Sequence, residues 1–258
     1  MSNWVEGSLA PRPGVAPTRS MLRAQTRTEL TLLLRNGEQV LLSLVLPTGL
    51  LVILSTLTFV EVPVDGVSRV DFFTPGVIAL AVMSTAFTGQ AIATGFERQY
   101  GVLKRLGATP LPRSVLLGAK TLSVLTVELL QLLLLGAVAY SLGWEPAGTV
   151  PVVLLVLAVG TAAFSGLGLL LGGTLRGLTC LAVANLLWLV LFVLGGVISS
   201  LSAFGPAEAV LRFLPTAALS DGLRATLVDA TFPGTELLIL AGWAVLGLGA
   251  ASRLFRWE

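Results

Sequence analysis

Runs of about twenty apolar residues recur along the whole chain, and no other feature of the sequence restricts the fold as much. A run of this length lets a helix cross the hydrocarbon core of a membrane, which is about 30 Å thick. Only 12% of the 258 residues are charged, against roughly 25% in ordinary globular domains. The sequence therefore predicts a polytopic membrane protein and not one or two soluble domains.

The apolar runs predict helices because they are hydrophobic on every side, whereas a membrane barrel needs alternating strands of about ten residues. Six segments are long enough to be spans: Val40 to Val60, Gly76 to Gly95, Ser114 to Leu142, Val150 to Leu175, Cys180 to Leu201, and Leu237 to Leu254. The predicted fold class is all-α. We expect a single transmembrane domain over residues 1–258, with the six-span bundle in residues 40–254.

Basic residues lie mostly on one side of these predicted spans. If the N-terminus is cytoplasmic, the outer segments contain only Arg69, Arg212 and Arg224. The inner segments contain all the others: Arg12, Arg19, Arg23, Arg27, Arg35, Arg98, Lys104, Arg105, Arg113, Lys120, Arg176, Arg253 and Arg256. An excess of Lys and Arg marks cytoplasmic segments. With six spans, both termini are then expected in the cytoplasm.

The N-terminal region divides into a tail and a helix. Residues 1–18 are rich in proline and small residues and lack a continuous apolar core, so we expect a flexible cytoplasmic tail without a cleavable signal peptide. In residues 19–36, arginines and leucines recur at helical spacing: Arg19, Arg23 and Arg27, with Leu22, Leu30 and Leu33. This pattern predicts an amphipathic helix in the membrane interface. A frayed, solvated tail is the alternative.

The segment FERQYGVLKRLGATPLPR, from Phe96 to Arg113, concentrates charge between the second and third spans. Written as a helix, it separates two faces: Phe96, Tyr100 and Leu103 on one, and Glu97, Gly101 and Lys104 on the other. A glycine within a helix costs about 1 kcal/mol relative to alanine, so Gly101 indicates either close approach of another surface or a local turn. The pattern predicts a short cytoplasmic helix shaped to dock.

These residues also carry a resemblance to a known family. Glu97 to Leu111 read E-x-x-x-G-V-L-K-R-L-x-A-T-P-L, Leu116 to Lys120 read L-L-G-A-K, and Leu214 to Arg224 read L-P-T-x-x-x-x-D-G-L-R. In this order and with these spans, the chain resembles the type-2 ABC-transporter permeases, which include bacterial drug-resistance and polysaccharide-export permeases. The resemblance covers nearly the whole chain.

The resemblance implies that Glu97 to Leu106 forms a coupling helix that fits a groove on a separate nucleotide-binding subunit. Polar and close contacts would come from Glu97, Gly101, Lys104 and Arg105, and the helix would be seated by Phe96, Tyr100 and Leu103. A second motif would involve Pro215, Asp221 and Arg224. Alternatively, the basic residues only follow the positive-inside rule, the interpretation we favour for Arg98 and Arg113.

The resemblance further implies a bacterial cytoplasmic membrane and an ATP-driven exporter of an amphipathic drug, lipid or glycoconjugate. Six spans are half of that family's transport unit, so the expected partners are a second permease chain, in a homodimer or heterodimer, two copies of an ATPase subunit, and membrane lipid, but no nucleic acid. The chain lacks the pattern G-x-x-x-x-G-K-[ST]. We therefore expect no enzyme activity, catalytic residue, cofactor or metal in it, and ATP and Mg in the partner.

Polar residues inside the spans leave alternatives open. Glu128 and Gln131 lie three residues apart in the third span, where a carboxyl is costly unless it is paired, protonated or hydrated. They could line a translocation path, or Glu128 could be a protonated group bonded to Gln90 or Asn185. A proton- or ion-coupled secondary carrier centred on Glu128 is the alternative function.

Three further features lead to structural expectations. Gly168 and Gly172 form a G-x-x-x-G pattern that permits close helix contact, within the chain or between two chains. Cys180 is the single cysteine, and we interpret it as a packing residue. Residues 206–234 are broken by three prolines, which favours short helices lying on or dipping into the outer face, with a simple folded loop as the alternative.

Overall fold

A computed structural model describes residues 15–57 and 66–255 of the chain. Within these two ranges the regular structure is helical and contains no β-strand. The predicted all-α class is therefore confirmed. Most of the predicted N-terminal tail falls on residues 1–14, outside the described residues.

We number the α-helices of the described ranges in chain order: α1 (Thr18–Arg35), α2 (Gly37–Thr56), α3 (Arg69–Val82), α4 (Gln90–Gln99), α5 (Val102–Gly107), α6 (Arg113–Ser141), α7 (Val150–Thr174), α8 (Gly177–Leu194), α9 (Glu208–Leu211), α10 (Pro215–Leu227) and α11 (Gly234–Leu254). A π-helical segment, Met83–Gly89, joins α3 to α4. As a result, Arg69–Gln99 is one continuous helix, which we call the central helix. A 3₁₀-helix, Leu201–Ala207, precedes α9.

Five helices of the described ranges are long and apolar enough to cross a membrane: the central helix, α6, α7, α8 and α11. They coincide with the second to sixth predicted spans. The first predicted span, Val40 to Val60, falls on α2, whose apolar part is the shorter stretch Ser43–Thr56, and its last residues, 58–60, lie outside the description. The sixth crossing thus stays a prediction.

The predicted end of the fifth span, at Leu201, is wrong. Helix α8 ends at Leu194, and two glycines follow it. Gly196 has a φ of 64°, a left-handed conformation that glycine adopts easily and that commonly ends helices. The outer segment therefore begins earlier in the chain than the run of apolar residues indicates.

The central helix forms the core around which the other helices pack. Its most apolar stretch is 83% buried, whereas that of α8 is only 17% buried. Phe73, Met83 and Ala91 of this helix are fully buried. Cys180 of α8 packs against it, and its thiol donates to the Ala91 carbonyl oxygen over 3.2 Å. This contact supports a packing role for the cysteine.

Glycines of α7 bring that helix close to the central helix. A Cβ atom added at Gly168 would lie 2.7 Å from the carbonyl oxygen of Phe87, and one added at Gly172 would lie 2.6 Å from that of Ala91. Real side-chain atoms do not approach so closely, so both positions need glycine. The G-x-x-x-G pattern thus serves a contact within the chain.

Helix α1 packs along α6. Its arginines Arg23 and Arg27 are exposed, while Leu22 lies beside Gly118 of α6 and Leu33 packs against the hydrophobic core. The helix lies where the sequence predicts it. Its leucine stripe, expected to enter the headgroup region, is instead turned in part toward the protein.

The outer segment, residues 206–234, contributes short helices to the bundle. Helix α10 contacts α3, α7 and α11, and its side chains Ala217, Leu219 and Leu223 are fully buried. Such burial is not that of a simple surface loop. The short-helix expectation is therefore confirmed for this part of the segment.

Candidate functional site

The charged loop between the second and third predicted spans folds as a hairpin, which we define as the end of α4, the short α5 and the start of α6. The backbone N–H groups of Tyr100 and Gly101 donate to the carbonyl oxygens of Phe96 and Arg98, over 2.9 and 3.0 Å. Gly101 has a φ of 71° and precedes the first residue of α5. This left-handed residue separates α4 from α5 at low cost, since it has no Cβ.

The predicted continuous helix from Glu97 to Leu106 is therefore wrong, because Gly101 divides it. The positive φ of Gly101 supports the local turn, and a Cβ there would meet nothing within 4 Å among the described residues. The residues predicted to seat the helix also differ in their burial. Leu103 is fully buried, whereas Tyr100 is 69% exposed and stacks on Phe96 with ring centroids 6.0 Å apart.

Leu103 fixes α5 to the bundle. It belongs to a small hydrophobic cluster at one end of three long helices, formed with Leu116, Leu117, Leu169, Ala251 and Phe255. Burial of a leucine side chain contributes roughly 1.5–3 kcal/mol. The short helix, which would be unstable alone, is thereby held against α6, α7 and α11.

The opposite side of the hairpin is exposed. Five of its exposed residues form what we call the hairpin surface: Tyr100, Val102, Lys104, Arg105 and Thr109. An aromatic ring, an aliphatic side chain and two cations are grouped on it. Protein interfaces commonly combine an aromatic or apolar centre with a polar rim, so this composition suits a docking surface.

Beneath the hairpin lies a buried ion cluster, formed by Glu29, Glu97 and Lys120. The Lys120 Nζ is 2.9 Å from Oε2 of Glu29 and 2.8 Å from Oε2 of Glu97. Lys120 and Glu29 are only 4% and 7% exposed. The three side chains come from α6, α1 and α4, so the cluster ties the N-terminal helix to both sides of the hairpin.

No contact of Glu29 or Lys120 is predicted from the sequence, and Glu97 is predicted to face a partner subunit. Two signals pointed to the cluster. Lys120 lies inside an apolar helix, where a charge is normally paired. Glu29 shares the inner face of α1 with Leu22 and Leu33, so it interrupts an apolar stripe.

Arg98 provides a further link from the hairpin to the bundle. Its guanidinium donates to the carbonyl oxygen of Gly173 over 2.9 Å. This carbonyl belongs to the last turn of α7, where backbone acceptors have no partner within the helix. Arg98 therefore has a specific contact within the bundle, which the positive-inside interpretation does not require.

Two neighbouring cavities lie near the ion cluster, whose three residues line the smaller one. The larger, of about 660 Å³, is an apolar groove whose walls include Leu46, Leu50, Ile53, Ser84, Trp188 and Phe192. The smaller, of about 130 Å³, is a polar pocket whose walls include Glu29, Gln90, Thr94, Glu97, Lys120 and Ser123. Leu33, Thr85 and Gly89 line both cavities. The groove and the pocket are thus adjacent.

Glu128 and Gln131 are buried, and each bonds to another helix. The Thr161 hydroxyl donates to Glu128, so the suggested amide partner for this carboxyl is wrong. Gln131 donates to the Ser43 carbonyl and to the Thr85 hydroxyl, over 3.0 Å in each case. Neither residue lines the groove or the pocket. Their role in a translocation path stays a prediction.

The outer motif is built around Arg224. Its guanidinium lies 3.2 Å from the Asp221 carboxylate, donates to the Val197 carbonyl over 3.1 Å and stands over the ring of Phe72, 5.0 Å from its centroid. Burial raises the pKa of Asp221, and the adjacent guanidinium opposes this shift. Pro215 supplies the first turn of α10. The motif fastens α10 to α3 and to the turn after α8.

The site offers contacts for binding. In residues 15–57 and 66–255, no three residues of the types His, Cys, Asp and Glu are grouped so that they could hold a metal ion. The sequence contains no histidine. What the arrangement can provide is a docking surface, a buried electrostatic link and two cavities.

These features define a multi-pass helical membrane protein with a hairpin between the central helix and α6. A sequence profile of the ABC-2 type transporter family matches residues 21–228. The chain belongs to this family, and it is a transmembrane permease subunit of an ABC transporter. Members of the family lack the ATPase site and normally work with an ABC ATPase partner. A comparison with curated proteins finds no match.

Proposed function

We propose that this permease is part of an exporter that moves an amphipathic drug, lipid or glycoconjugate out of the cytoplasm or the inner leaflet. In this proposal two permease chains work with two ATPase chains in the bacterial cytoplasmic membrane, with both termini inside. The spans alternate between inward and outward access as the ATPase pair, which binds ATP and Mg, closes and opens.

The observation that carries the proposal is the position of the hairpin. Its outer side, with Lys104 and Arg105, is exposed, and its inner side is fixed by Leu103 and by the Glu97–Lys120 ion pair. A displacement of the hairpin would therefore move the ends of α4 and α6 together. An ATPase subunit bound there could transmit its motion to the second and third spans.

The test is co-purification of the ATPase subunit with the tagged permease from native membranes in mild detergent. We expect Lys104→Glu combined with Arg105→Glu to lower the amount of co-purified ATPase activity at least tenfold, because the hairpin surface changes its charge. Arg253→Glu is the matched control, since Arg253 is also exposed but lies at the end of α11. It should retain the ATPase.

Equal loss in the control, or retention in the double variant, would contradict docking at the hairpin. Substrate flux in liposomes that contain only this chain and no ATP would instead support the carrier centred on Glu128. Measuring ATP-dependent efflux with sealed cells then tests the direction of transport.

A further inference from the structure

We infer that the polar pocket and the apolar groove form one binding site for an amphipathic cation, with the charged head in the pocket and the hydrocarbon chain in the groove. This inference deepens the proposed function, and rests on it, because it names the class of substrate. Its test uses the permease chain alone, so that it is separate from the test of the ATPase partner.

The pocket contains buried polar side chains that lack a hydrogen-bond partner among the described residues. Gln90 is 5% exposed and Thr94 is fully buried, yet neither the amide of Gln90 nor the hydroxyl of Thr94 has a hydrogen-bond partner among the described residues. Leaving such a group unsatisfied costs about 1–3 kcal/mol. The pocket volume of about 130 Å³ equals that of about four waters at about 30 Å³ each, which is enough for a small polar head.

The net charge of the ion cluster favours a positively charged head. Glu29 and Glu97 share the single ammonium of Lys120, so the cluster has one surplus negative charge when both carboxylates are ionised. The described walls of the pocket include no other charged residue. In a medium of low dielectric constant this surplus charge attracts a cation strongly. A neutral head would leave it uncompensated.

The groove accommodates the apolar part of the same molecule. Its volume of about 660 Å³ lies within the usual range of about 300–1,000 Å³ for small-molecule sites. Trp188 and Phe192 form a stacked aromatic pair on one wall, with centroids 5.3 Å apart. Since the groove and the pocket share wall residues, a chain in the groove can end in a head in the pocket.

The experiment measures quenching of Trp188 fluorescence by a brominated chain. A full-length variant that keeps Trp188 as its only tryptophan is placed in phosphatidylcholine nanodiscs. The probes are (11-bromoundecyl)trimethylammonium and 11-bromoundecanol, which have the same chain but differ in the charge of the head. At concentrations expressed per lipid, we expect saturable quenching by the cation at least tenfold below the concentration that the alcohol needs. Equal quenching by the two probes would overturn the inference.

Variants then test the pocket itself. Glu97→Gln removes the surplus charge but leaves the Lys120–Glu29 pair, and Gln90→Leu removes the unpartnered amide. Each should raise the half-saturating cation concentration about tenfold without changing the response to the alcohol. The control Thr28→Val alters an exposed residue of α1 and should have no effect. Unchanged cation binding in both pocket variants would show that the head does not occupy the pocket.

Discussion

Lys120 holds the site together, because its one ammonium pairs with two carboxylates from separate helices. Buried ion pairs are compensated only while both signs are present, since removal of one partner leaves an unpaired buried charge. The position of Lys120 near the start of α6 places this compensation directly beneath the hairpin. A change at this residue therefore affects α1 and α4 as well as its own helix.

At this scale we predict the effect of Lys120→Met, which keeps most of the side-chain volume and removes the charge. Glu29 and Glu97 would then face each other without an ammonium. We expect the free energy of unfolding to fall by about 3–5 kcal/mol, measured by thermal unfolding of the purified protein in detergent.

A triple variant provides the control. Adding Glu29→Gln and Glu97→Gln to Lys120→Met removes the two unpaired charges, so most of the lost stability should return. If the triple variant unfolds at the same temperature as the single one, charge compensation is not what Lys120 contributes.

The sequence does not show that the members of the ion cluster associate. Lys120 inside an apolar helix indicates a partner. Glu29, however, is 91 residues away, and nothing in its spacing selects it among the acidic residues. Glu97 is 23 residues away, on the other arm of a hairpin whose turn the sequence left open. Pairing between side chains of different helices depends on how the helices pack, and helical periodicity alone does not predict that packing.

Among the elements, the hairpin depends on the conformation of one residue, Gly101. A side chain there meets no neighbour within 4 Å, but the left-handed backbone costs about 1–2 kcal/mol for an ordinary L-residue. Asparagine tolerates this conformation better than other residues. The requirement at this position is thus one of backbone geometry and not of space.

We therefore predict that Gly101→Asn retains the ATPase subunit in co-purification, whereas Gly101→Val lowers the yield about fivefold or more, the factor that corresponds to about 1 kcal/mol. The valine would turn α5 away from its position. Equal yields from the asparagine and valine variants would refute this account.

The close contact between α7 and the central helix leads to a second prediction, which concerns the packing of these two helices. Gly168→Ala would place a methyl group 2.7 Å from the Phe87 carbonyl oxygen, and such overpacking costs about 1–3 kcal/mol. We expect a lower temperature of thermal unfolding. Gly242→Ala is the matched control, because its Cβ would meet nothing within 4 Å; alanine there should be neutral or stabilising.

Element boundaries were predictable where the chain changes abruptly from apolar to polar. The ends of α7 at Val150 and Thr174 agree with the predicted span, Val150 to Leu175, because a charged or turn-forming residue follows. The end of α8 was missed because the apolar residues Val197 and Ile198 continue beyond the two glycines. Apolar residues are buried in lipid or protein whether or not they are helical, so hydropathy does not show where α8 ends. The backbone φ angle in the turn after α8 sets that end.

For the whole molecule, the distribution of basic residues predicts how the protein is oriented in the membrane. The exposed residues Thr109, in the loop after α5, and Asp229, after α10, lie in segments assigned to opposite sides of the membrane. The assignment rests on the excess of Lys and Arg in the inner segments. It can be tested because the sequence has a single cysteine.

In a Cys180→Ala background, we predict that a membrane-impermeant maleimide labels Asp229→Cys in intact cells. Thr109→Cys should be labelled at least tenfold more strongly after the cells are broken than before, because the predicted orientation places it in the cytoplasm. The reverse pattern would place the hairpin outside and rule out an intracellular ATPase partner.

The π-helical segment Met83–Gly89 sets the phase between the two halves of the central helix. A π-turn behaves as an α-helix with one inserted residue, and each residue of an α-helix advances the direction by about 100°. Deleting a single residue here would restore regular winding and rotate α4, with Glu97, by about that angle relative to α3. The length of this segment, and not its chemistry, thus determines whether the carboxylate of Glu97 is directed toward the ammonium of Lys120.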